Sequence, residues 1–81
     1  MSTLAAHAET LTADAEALAD CADRLRDLAR RLRGHDATPP WLYDLLNSHL
    51  SACTVASTDL TTAAGQMRAF AALGPEQVSG R

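Results

Sequence analysis

The spacing of leucine and alanine between Leu4 and Leu32 constrains this chain more than any other feature. Leucine stands at 4, 11, 18, 25 and 32, and alanine stands four residues after each of the first four, at 8, 15, 22 and 29. Alternating steps of four and three put all of them on one stripe of a helix, the seam of a coiled coil with leucine at d and alanine at a. Alanine is the best helix former, and small seam residues let a second helix approach closely. The stretch therefore predicts a long helix shaped to lie against another helix. Its stripe carries no reactive group.

The flanking residues set the limits of that helix at about residues 3–33. Ser2 or Thr3 can cap its free amide groups. Acids early (Glu9, Asp14, Glu16, Asp20) and arginines late (Arg26, Arg30, Arg31, Arg33) complement the helix dipole. Asp20–Arg24 and Asp27–Arg31 have the spacing of supporting i,i+4 pairs. Interleaved acids and missing aromatics argue against reading the arginines as a phosphate-binding patch. Gly34 stands where a left-handed residue would end the helix.

Residues 34–39 read as the loop. Thr38 is the expected N-cap and Pro39 or Pro40 the first residue of a second helix, with Asp44 in its first turn. That helix should run over about 40–73, where Gly74-Pro75 stops it, leaving 74–81 as a flexible tail. Its expected seam is Leu42, Leu46, His49, Cys53, Ala56, Leu60, Ala63, Met67 and Phe70. Serine and threonine crowd its opposite face, and Ser57-Thr58-Asp59 is the expected point of weakness.

A short loop between two long helices makes them antiparallel neighbours. The expected fold is all-α, one hairpin domain over residues 1–73. Folding about Ala37 sets Leu4 near Phe70, Leu11 near Ala63, Leu18 near Ala56 and Ala15 near Leu60. Apolar residues remain on the flanks: Leu28, Trp41, Leu45, Leu50 and Val55. Two helices cannot cover both of their own faces, so these five are the expected partner interface. A second hairpin covering them would complete a four-helix bundle.

The chain has 81 residues, one Phe, one Trp, one Tyr and a formal charge of −3. A core so poor in large side chains gains stability by association. The weak charge implies neither nucleic acid nor an acidic tail. All seven basic residues are arginine, the composition of a GC-rich bacterial genome. No apolar run is long enough for a membrane span, and no ordinary signal peptide is visible. The expected location is the cytoplasm, or outside the cell by a route without a cleaved signal.

Cys21 and Cys53 lie equally far from the loop centre, so they can meet across the hairpin. Two small packed thiols are the plainer reading, and a cross-hairpin disulfide the sharper one. Cys21, His49 and Cys53 together form a weak candidate metal site, lacking a fourth ligand and any Cys-x2-Cys pair. Glycine-rich phosphate loops, nucleophile elbows and paired carboxylates on the seam are absent, so no enzyme activity, cofactor or small-molecule substrate is expected.

The Leu/Ala heptads, a glycine and then Trp41 at the turn, and a second helix of matching length resemble the WXG100 (ESAT-6-like) superfamily. The likeness extends to the related ESX secretion-associated hairpins of Gram-positive bacteria and covers residues 2–73. It implies a homo- or heterodimeric four-helix bundle linked to type VII secretion. Two positions depart from that pattern. Tyr43 stands where the Trp-x-Gly turn has glycine, and no Tyr-x3-Asp/Glu signal follows helix 2. The expectation is therefore a partner or accessory of a secreted hairpin. The rival expectation is a small regulatory module, antitoxin-like or an adaptor, that masks another protein. A metal-binding bundle is the minor alternative.

Overall fold

The structure, a computed structural model, describes residues 3–79, with side chains placed for 3–73. It contains two helices, α1 (Leu4–Leu32) and α2 (Pro40–Ser79), packed on one another as an antiparallel hairpin. Among the described residues there is no strand.

Thr3 caps α1, its hydroxyl oxygen accepting from the Ala6 amide at 3.1 Å. The far end closes differently from the expected glycine cap. Arg33 keeps right-handed helical angles, and the Gly34 and His35 amides donate to the carbonyls of Arg31 and Leu32. The last turn tightens into i→i+3 bonds, so no left-handed residue is needed. A Cβ on Gly34 would meet only the Arg31 carbonyl oxygen, at an ordinary 3.6 Å. Thr38 also departs from its expected role. Its hydroxyl donates backward to the Leu32 carbonyl at 3.2 Å, fastening the end of α1.

α2 passes through Ser57-Thr58-Asp59 unbroken and continues to Ser79, beyond the stop expected at Gly74-Pro75. Proline's fixed φ is compatible with a helix, and its missing amide removes a single bond from a ladder already propagating. Asp44 falls just past the first turn, which contains no acid. Of the expected charge pairs, Asp27–Arg31 is long, at 3.9 Å, and the tighter contacts are Asp23–Arg26 and Asp27–Arg30, each 2.7 Å. All three pairs are exposed and contribute little to stability.

The alanine stripe forms the centre of the interface. Ala8, Ala15, Ala22 and Ala29 are buried, whereas Leu11, Leu18, Leu25 and Leu32 are half-buried beside them. On α2 the buried residues are Leu46 and Ala64, with Leu50, Cys53, Ala56, Ser57, Leu60, Ala63 and Met67 half-buried between and after them. The seam follows 46-50-53-57-60-64-67, widened by Ala56 and Ala63 on the leucine side. Of the expected seam, His49 and Phe70 are exposed, Ala56 and Ala63 stay half-buried, and Leu50, Ser57 and Ala64 join it.

Ser57 joins the seam despite its hydroxyl. Its hydroxyl donates to the Ala15 carbonyl at 2.8 Å across the seam, so a polar side chain sits there with its hydrogen bond made. At the loop end of this stretch His49 is exposed and Leu50 is half-buried. Phe70, expected to close the seam opposite Leu4, is half exposed, as is Leu4 in lesser degree.

Candidate functional site

The hairpin has two unlike sides. Successive helical residues differ by about 100°, which places Leu11, Leu18 and Leu25 about 50° to one side of the alanine line. Thr12, Ala19 and Arg26 lie about 50° to the other side. The same construction on α2 puts Thr54 and Thr61 on the side of Thr12, and Leu42, Ala63 and Phe70 on the side of the leucines.

The threonine side is an open polar groove. One stretch, of about 160 Å³, is lined by Ala19, Ala22, Asp23, Arg26, Thr54 and Ser57, with Thr58 at its edge. A second, of about 280 Å³, lies between Thr12, Ala15, Glu16, Ala19 and Thr61. Arg68 spans this side, donating to the Thr12 hydroxyl at 2.6 Å while Thr12 donates to the Ala8 carbonyl at 3.0 Å. Thr54, Ser57 and Thr61 likewise donate to backbone carbonyls, of Leu50, Ala15 and Ser57. Neither cavity is enclosed by large side chains.

The leucine side is the opposite in character. Leu28 is 42% exposed, Leu45 46%, Phe70 50% and Trp41 64%. Leu28 repeats the heptad position of Cys21 and extends the flank beyond Leu25. Among the described residues no large side chain is fully buried. The apolar mass of the hairpin is therefore displaced to one side of its own interface and left half covered.

The five residues expected at the partner interface separate on this basis. Leu28, Trp41 and Leu45 lie on or beside the leucine side and are exposed. Leu50 turns into the seam with Ser57 and Ala64, its heptad equivalents. Val55 is 60% exposed but faces about 180° from the Leu46–Ala64 line, on the back of α2.

No known family model, curated protein or solved structure matches this chain. The likeness to WXG100 hairpins accordingly rests on the heptads, Trp41 and the paired helices alone.

The thiols of Cys21 and Cys53 are both free. Partial burial pushes the Cys53 thiol above its ordinary range, and the neighbouring Cys21 thiol pushes it in the same direction. His49 does not join them. It is exposed, and among the described residues no three His, Cys, Asp or Glu side chains gather as metal ligands. The structure thus brings Cys21 and Cys53 together but leaves the candidate ligand His49 apart from them. Nor is any described helix long and apolar enough to cross a membrane.

Proposed function

We propose that this protein is a helical-hairpin interaction module whose leucine side packs against that of a second copy, forming a four-helix bundle. The observation that carries this reading is the core itself: alanine occupies its centre while the leucines flank it on one side, half covered.

Magnitudes point the same way. A compact monomer of 8.6 kDa would expose about 4,700 Å². This chain exposes 6015 Å². The excess is about 1,300 Å², comparable with the area that each copy contributes to an interface of standard to large size. Charge favours a second copy over an unrelated partner. The first half of α1 bears Glu9, Asp14, Glu16 and Asp20 without an arginine, and the second half bears Arg24, Arg26, Arg30 and Arg31 against Asp23 and Asp27, leaving it net positive. Two copies of α1 running antiparallel would set each acidic half beside the other's basic half. The WXG100-like pattern favours the same kind of occupant. It adds a setting, accompaniment of type VII-like secretion, that rests on that pattern.

Light scattering on the eluting protein tests the proposal, with twice the 8.6 kDa chain mass expected. Leu28→Glu should weaken the dimer at least tenfold, about 1.4 kcal/mol, by burying a charge against leucine. Val55→Glu, on the back of α2, should leave it unchanged. A monodisperse monomer at every concentration would overturn self-pairing and favour masking of a different protein. Equal effects of the two variants would overturn the choice of face.

A further inference from the structure

Two hydrogen bonds between the helices bracket the cysteines and give their register. The Ser57 hydroxyl meets the Ala15 carbonyl, and nearer the loop the Tyr43 hydroxyl meets the Leu32 carbonyl. Counted from the first bond toward the loop, Cys21 lies about 9 Å along α1 and Cys53 about 6 Å along α2. Counted from the second bond away from the loop, the distances are about 16 Å and 15 Å. Both counts bring the two residues to nearly the same level. The alanine line at Ala15 and Ala22 lets the backbones close there, and residue pairs across the helices come within 8 Å Cα to Cα. A disulfide needs about 4.4–6.8 Å between Cα atoms, and here the two thiols already neighbour each other across helices whose contact is made by methyl groups.

We infer that Cys21 and Cys53 are a redox-responsive pair that closes into a disulfide across the hairpin under peroxide. Cys21 is exposed and Cys53 half-buried, so the oxidant meets Cys21 first. Its thiolate attacks one oxygen of hydrogen peroxide, the O–O bond breaks, and a sulfenic acid forms as one water leaves. The Cys53 sulfur then attacks the sulfenic sulfur, the S–O bond breaks, and a second water leaves with the Cys53 proton. One peroxide is reduced to two waters and two thiols are oxidised to one disulfide. The upward push on Cys53 disfavours its thiolate, consistent with its acting second.

The pairing rests on the hairpin register, not on the proposed dimer, although Cys21 shares the heptad position of Leu28 and assembly would shield it. The full chain is therefore treated with hydrogen peroxide while dilute, then denatured without reductant and weighed. The expected main product is a single chain lighter by two hydrogen atoms, with both thiols lost to Ellman's reagent and both recovered with dithiothreitol. Cys53→Ser should instead trap a sulfenic acid on Cys21, seen as a dimedone adduct. A main product that has gained oxygen at Cys21 with Cys53 still reduced would overturn the inference, as would one consisting of cross-linked chains. Repeating the oxidation at high concentration separates the two proposals. Slower closure there supports shielding by a second copy, whereas an unchanged rate counts against that choice of face and leaves the disulfide standing.

Discussion

The Leu32 carbonyl accepts from three donors: the His35 amide, the Thr38 hydroxyl and the Tyr43 hydroxyl. It lies at the negative end of the α1 dipole, where a carbonyl without a helical partner attracts donors. The three come from the last turn, the loop and α2, so a single oxygen joins every element at this end of the hairpin. Tyr43→Phe keeps the ring and removes one donor. It should cost about 1 kcal/mol in urea unfolding with unchanged helicity. A cost near zero would mean that water or another hydroxyl replaces the bond. None of this was legible in the sequence, where Thr38 reads as a cap for the following helix and Tyr43 as a departure from a turn motif. Ser57 was hidden for a related reason. A hydropathy pattern prefers Ala56 on the seam and cannot register that a serine hydroxyl finds a carbonyl one helix away.

At the scale of the element, the α1 pattern was read correctly because alanine and leucine differ in size as well as spacing. The helix, its antiparallel partner and the near-level pairing of residues all follow from that repeat. α2 was read less well. Apolar residues lie on several of its faces, and the strict heptad 46-53-60-67 admits either 49-56-63 or 50-57-64 as its companion. Both sets are small at their second and third positions and both lie at least half-buried there, so they part only at the first, where Leu50 is half-buried and His49 exposed. The same argument yields a contrast between two alanines of α1. Ala22 is buried on the seam and Ala13 is exposed. Ala22→Leu should force the helices apart and cost about 1–3 kcal/mol. Ala13→Leu, with nearly the same helix propensity, should change stability by less than about 0.5 kcal/mol. Thermal unfolding followed by circular dichroism distinguishes them, and equal effects would remove the alanine line from the centre of the interface.

The whole molecule measures 64 × 21 × 16 Å, with a radius of gyration of 18.6 Å against about 12 Å for a compact chain of this length. A rod this thin buries only Leu46 among the leucines of the described residues, which is why half-buried leucine dominates one side. Two such rods can meet with their loops together or at opposite ends. Shape hardly discriminates between these arrangements, because the seven-residue repeat looks similar in either direction. Charge does discriminate. Loops together would bring the Arg26–Arg33 end of α1 against its own copy, whereas opposite ends would bring it against Glu9–Asp20. The antiparallel arrangement should therefore win, and its margin should shrink as salt screens the contacts. A label at His35→Cys in a Cys21→Ser, Cys53→Ser background reads the answer. α1 alone is about 44 Å long, so opposed loops should hold the two labels roughly that far apart, whereas adjacent loops would hold them within about one bundle diameter, ~20–25 Å. A short distance at low salt would show that leucine packing, not charge, sets the direction of assembly.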